Sequence, residues 1–208
     1  MSDTNYLLLD AARMHGDIYR ARELNPDHTC LYEGDNEKFL SAVAPWLFSV
    51  EAGSEFAQWV AKEGKGKSWG VLFRSDAEPV KLYKHLRKFL IVESEDGKEM
   101  YFRYYDPRVL RVFLPTCEPE QLKEFFGPIA SFLIEDANGL LTEYTEDAGK
   151  LIIAELGFDA ERLIGGAEER IEGTTEGEGT PVAPQEAPRE PTRTSGSAGT
   201  GKGWDFGY

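Results

Sequence analysis

The chain has 208 residues, with 23 Lys+Arg against 37 Asp+Glu and a formal net charge of −14. That length holds one domain with a sizeable core, or one domain plus a tail. So acidic a surface repels phosphate backbones and anionic lipid, which argues against nucleic-acid and membrane-surface binding.

The opening residues, "MSDTNYLLLDAARMHGD", lack the basic start of a signal peptide, and no apolar run in the chain approaches a membrane span. The expected compartment is the cytoplasm, where Cys30 and Cys117 are free thiols. "YLLLD" (Tyr6 to Asp10) is predicted as a buried strand, followed by a helix over about Gly16 to Glu23. "TCLYEG" is a second strand ended by Gly34. In "DNEKFLSAVAPW", Asp35 or Asn36 caps a helix that carries Phe39, Leu40 and Val43 on one face. "LFSVE" is a short strand. "SEFAQWVAKEG" is a helix with Ser54 near its start and Gly64 as its stop, and "SWGVLFRS" is a strong strand.

A helix follows from Ser75 to Leu90, with Ser75 and Glu78 at capping-box spacing and Pro79 in the first turn. "IVESEDGKEMYFRYY" reads as a hairpin turning at Asp96-Gly97. "DPRVLRVFL" is a helix with Asp106 as N-cap and Pro107 at the first position; "EPEQLKEFFGP" is another, with Pro119 first and Gly127 last. A hairpin over Asn138-Gly139 comes next, and "AGKLIIAELGF" continues as helix or strand. The fold class expected is mixed α+β (α/β), a single domain over 1–146 with a central mixed sheet flanked by short helices. Residues 147–172 are read as a helical extension. The stretch 173–208 is a Gly/Pro-rich tail with too little apolar surface to order, and its aromatic end, Trp204, Phe206 and Tyr208, is a candidate anchor for a partner.

Candidate chemistry is sparse. "AKEGKGKS", Ala61 to Ser68, is one residue short of the phosphate-loop pattern G-x-x-x-x-G-K-[ST]. A working phosphate loop follows a strand and opens a helix; this one follows a helix, with Ser68 expected to begin a strand. The three histidines are scattered, and His28-x-Cys30 has no second ligand pair. Cys117 and His85 lack a third catalytic member. No catalytic residue, cofactor or metal is assigned. Positive charge is nevertheless concentrated between Pro79 and Arg111, eight Lys/Arg against five Asp/Glu, or +3 locally. Lys81, Lys84 and Lys88 share a helix face. Arg108 lies in the first turn of its helix, where the dipole disfavours a cation, so an internal carboxylate such as Asp10 or Glu33, or a partner's acidic group, should compensate.

The blocks "YLLLDAA", "CLYEG", "APWLF", "SEFAQWV", "GKSWGVLFRS", "LYKHLRKFLIV" and "FRYYDPRVLRVFLPTCEPEQLKEFFGPI" stand in order from Tyr6 to about Glu135. Together they resemble the bacterial type VI secretion adaptors, effector chaperones long catalogued as a domain of unknown function. The resemblance implies a cytoplasmic, non-enzymatic chaperone. Its partners would be a secreted effector and the valine–glycine-repeat/PAAR spike of the apparatus. Arg103, Tyr105, Asp106, Pro107, Arg108 and Leu114-Pro115 match the family block, with Arg111 beside them, and their role stays open between folding and partner binding. Family members carry Thr or Ser where this chain has Glu118, which weakens the expected cap before Pro119. The alternatives are an immunity-type protein that neutralises a basic toxin, or an enzyme acting on a phosphorylated or nucleotide substrate.

Overall fold

The computed structural model describes residues 4–93, 97–136 and 138–166. The anchors Trp204, Phe206 and Tyr208, the rest of the tail and Asp96 lie outside the described residues. β1 (Thr4–Asp10) leads into two short helices, α1 (Ala11–Met14) and α2 (Asp17–Leu24). β2 (His28–Cys30), α3 (Asp35–Leu40) and β3 (Pro45–Val50) follow, then α4 (Glu55–Gly64) and β4 (Gly70–Ser75). Next come α5 (Pro79–Arg87) and a small hairpin of β5 (Ile91–Glu93) and β6 (Glu99–Tyr101). After α6 (Pro107–Phe113) and α7 (Pro119–Phe126), the chain finishes with β7 (Ser131–Glu135), β8 (Leu141–Asp147), β9 (Lys150–Glu155) and α8 (Ala160–Ile164).

Seven strands form one sheet in the order β2-β3-β1-β4-β7-β8-β9. Every ladder in it is antiparallel, which corrects the expected mixed sheet. The reason is the placement of β1. The β3–α4–β4 unit gives two parallel strands, as the alternating pattern suggests, but β1 sits between them and pairs antiparallel with both. Register is pinned on both sides, with Leu8 opposite Leu47 and Val71.

Because β1 is central, its apolar run is buried on both faces. Tyr6 and Leu8 point into a core with Leu82 and Leu86 of α5, Leu110 of α6, and Leu122 and Phe125 of α7. Leu7 and Leu9 point into a second core with Met14, Ile18, Phe56, Val60 and Ile164 of α1, α2, α4 and α8. The result is three layers, helices on either side of the sheet. The first core is rich in rings, with Phe102 and Phe113 centroids 4.7 Å apart and Phe89 and Phe125 centroids 4.9 Å apart. Each such ring contributes about 1.5–3 kcal/mol by burial.

Several local expectations are corrected. The second strand stops at Cys30, three residues long. α3 takes Gly34 as its N-cap residue, not Asp35 or Asn36. Its supposed core face is open, with Phe39 81 % and Val43 46 % exposed. The Ser75/Glu78 capping box does not form. Ser75 ends β4, accepts the Ala77 N–H at 3.1 Å and donates to the Pro128 carbonyl at 2.7 Å, so the helix starts at Pro79. In the segment read as a helical extension, 150–155 is a strand of the main sheet, and among its described residues helix is confined to the five residues of α8. Glu118 does not weaken the start of α7 as expected, because Gln121 reaches back to accept the Glu118 N–H at 2.8 Å.

Candidate functional site

The family block builds a charged corner where the end of β1 meets the start of α6. Asp106 is the N-cap, as the sequence predicts: its Oδ1 accepts the Arg108 N–H at 3.0 Å. The same carboxylate takes the Arg108 side chain in a forked pair, Nε to Oδ1 at 3.0 Å and Nη2 to Oδ2 at 2.6 Å. Of the expected compensations, the internal one is present: the unfavourable dipole position of Arg108 is offset chiefly by its own cap, with Asp10 adding a smaller favourable charge and no direct bond. Asp10 instead receives the Arg103 guanidinium, while its Oδ1 caps α1 through the Ala12 N–H at 3.0 Å. Arg103 also lies 4.0 Å from Asp106. Glu33 pairs with Arg87 at 2.9 Å and accepts the Tyr83 hydroxyl at 2.9 Å.

Burial pushes the Asp106 carboxyl up, but the Arg108 hydrogen bonds and the Arg103 charge outweigh it and hold it below the usual range. The hydrogen bond to Asp10 raises Arg103 further above its already high value. Tyr105 is buried, which drives its phenol well above the ordinary value. Pro107 and Leu114 are buried too. Arg111 donates to the Glu135 carbonyl at 3.2 Å, tying α6 to the end of β7. Most of the block thus fastens elements together. What it leaves at the surface is two guanidiniums, with the Arg103 and Arg108 side chains 42 % and 50 % exposed.

Lys81, Lys84 and Lys88 are exposed along α5, and no ion pair joins them to another described residue. Val80, 65 % exposed, lies beside Lys84 on the same helix. The lysine face therefore presents positive charge without an ion-pair partner among the described residues, on an acidic protein.

The phosphate-loop-like segment is occupied from within. The Gly66 N–H, one of the amides such a loop would offer a phosphate, points at both Glu135 carboxylate oxygens, 3.0 and 2.9 Å away. Lys65 pairs with Asp159 at 2.6 Å, and Lys67 sits 4.8 Å over the Trp69 ring. Arg13 donates to the Lys67 carbonyl at 3.1 Å. Ser68 does not begin a strand: it sits at φ 54, two residues ahead of β4. The helix–loop–strand order stands as predicted. Burial raises the Glu135 carboxyl despite the Gly66 N–H and the Lys65 charge, so an added phosphate here would meet a carboxylate already holding the donors.

The remaining candidates also have internal partners. Cys117 lies against the Phe113 carbonyl, and burial pushes its thiol up to about 12, far from a nucleophilic thiolate. The buried His85 donates Nε2–H to the Phe125 carbonyl at 2.8 Å, and burial lowers its pKa. His28 donates Nδ1–H to the Asn25 carbonyl at 2.7 Å and accepts at Nε2 from Arg22 at 3.3 Å. Among the described residues, no group of three His, Cys, Asp or Glu could hold a metal ion, and no helix is long and apolar enough to cross a membrane. Sequence reasoning missed the Arg87–Glu33 pair and the anchoring of Gly66 by Glu135; neither has a short-range signal, since the partners lie far apart in the chain.

No curated protein and no solved structure matches the chain. Residues 5–124 do match the family described as "Domain of unknown function (DUF4123)". The match runs from β1 into α7 and takes in the whole charged corner, the lysine helix and the phosphate-loop-like segment. It covers more than half of the 208 residues, and the chain belongs to the DUF4123 family.

Proposed function

We propose that this protein is a type VI secretion adaptor: a non-enzymatic cytoplasmic chaperone that binds a toxic effector and promotes its loading onto the spike. The observation that carries the reading is the family match over residues 5–124, which includes the "RYYDPRVLRVFLPT" block. The family is linked to adaptors for type VI effectors. The half-exposed guanidiniums of Arg103 and Arg108 and the open lysine face of α5 suit an acidic patch on a protein partner. The internal partners of the Gly66 N–H, Cys117, His28 and His85 speak against the alternative of a nucleotide enzyme working through those groups.

Deletion of the gene in its native cell, followed by measurement of effector in the medium, tests the reading. Secretion of one effector should fall while the apparatus itself continues to fire. Co-expression with that effector separates the two remaining readings. An adaptor leaves the intoxicated cell unprotected, whereas an immunity protein rescues it. Normal secretion together with rescue would replace the adaptor reading with the immunity one.

A further inference from the structure

Among the described residues, the last strand of the sheet, β9, is paired on one side only, by β8. The two are joined by the two-residue loop Ala148-Gly149, both at positive φ (50 and 82), between the opposed residues Asp147 and Lys150. That is the geometry of a tight primed turn, whose flanking pair is hydrogen-bonded. Alternation then directs the backbone groups of Lys150, Ile152 and Ala154 toward β8, and the Leu156 N–H on the Leu141 carbonyl at 3.0 Å continues the same parity. The N–H and C=O groups of Leu151, Ile153 and Glu155 face outward. Ile152 and Ile153 point to opposite faces of the sheet and are 48 % and 51 % exposed. The strand reads "KLIIAE", an apolar centre between one cation and one anion. It has no proline, and neither charge interrupts its centre, so the usual guards of an edge are missing.

We propose that β9 pairs antiparallel with β9 of a second copy of this chain, about a twofold axis normal to the sheet, and so extends the seven-stranded sheet across both copies. A twofold of that kind matches only residues of like parity, since opposed residues share a face. Setting Ile152 opposite Ile152 of the second copy also sets Leu151 opposite Ile153, whose outward N–H and C=O groups then bond each other. Every central position of the new ladder is apolar on both faces. With Ile152 opposite Ile152, Lys150 falls opposite Ala154 and Glu155 opposite the turn residue Gly149, so no like charges are opposed, whereas in-register parallel docking would set Lys150 beside Lys150 and Glu155 beside Glu155. β9 is thus its own complement in parity and hydrophobicity, with no like charges opposed. This inference is independent of the adaptor reading, and β9 lies outside the residues matched to the family.

Sedimentation velocity of the full chain across nanomolar to millimolar concentration tests it. The expected species is a reversible dimer of twice the 23.3 kDa chain mass. The double substitution Ile152→Lys/Ile153→Lys, at two half-exposed positions, should give monomer at the same concentrations with an unchanged melting temperature. Amide hydrogen exchange supplies a second reading that needs no variant: the Leu151 and Ile153 amides should be slowed only where the dimer is populated. A monomer throughout the range overturns the proposal, as does a dimer that survives the substitutions or leaves those two amides unprotected.

Discussion

Replacing Arg103 by Ala should be more damaging than replacing its partner Asp10, although both remove one ion pair. Asp10 is fully buried, at 0 % exposure, while the Arg103 side chain is 42 % exposed. Arg103→Ala therefore strands a carboxylate that keeps only the Ala12 N–H, and breaking a buried pair in this way costs about 3–5 kcal/mol. Asp10→Asn retains an oxygen for the cap and leaves a guanidinium that water can reach, so its cost should be near that of a half-exposed pair, about 1 kcal/mol. The two changes should also be strongly coupled. In the Arg103→Ala background, Asp10→Asn removes the stranded charge and should restore stability, making the double variant more stable than Arg103→Ala alone. Urea unfolding measures this through the midpoint at constant slope. The predicted loss is a large share of the roughly 5–15 kcal/mol that holds a domain together. If Arg103→Ala costs less than about 1 kcal/mol, or if adding Asp10→Asn destabilises it further, the corner is not held by this pair.

Other outcomes follow from the same geometry. Burial depresses the folded pKa of His85, helped by Lys88 and Lys81 and opposed by the Phe125 carbonyl and Glu124. The neutral ring is thus favoured by the fold. Its contribution is complete above the unfolded value of about 6.5 and is lost as pH falls from there toward the lower folded value, so the urea midpoint should drop between pH 7 and 5 and the drop should shrink in His85→Gln. Gly127→Ala should destabilise by at least about 1–3 kcal/mol in thermal or urea unfolding, because φ is 48 and the new Cβ would stand 2.3 Å from His85 Cε1. Reversing Lys81, Lys84 and Lys88 to Glu should weaken partner capture in a pull-down and leave the melting temperature nearly unchanged; unaltered capture would show that the face is only solvated. Millimolar ATP or GTP should not raise the melting temperature, since Glu135 already holds the Gly66 N–H; a clear upward shift would reopen the nucleotide reading.

What the sequence made legible was local. The cap of α6 by Asp106, the opening of α4 at Ser54 and the stop of α7 at Gly127 depend on residues a few positions apart, and they form as predicted. Ser75 failed as a cap because a distant carbonyl, that of Pro128, recruited its hydroxyl. Phe39 and Val43 keep helical spacing, yet no described residue covers them, since periodicity states which residues share a face and not whether another element arrives there. "KLIIAE" is ambiguous for the same reason. A short apolar run suits a strand or a helix, and only the tight turn at Ala148-Gly149 and the open edge of β8 decide it. In the charged corner, the need for compensation at Arg108 was readable from the helix dipole, but the choice of Asp106 over Asp10 depended on how β1 and α6 meet.

The adaptor account is tested most directly by affinity purification of the protein from its native cell followed by mass spectrometry. The account predicts recovery of a spike protein of the type VI apparatus together with a toxic effector. Recovery of neither would contradict it.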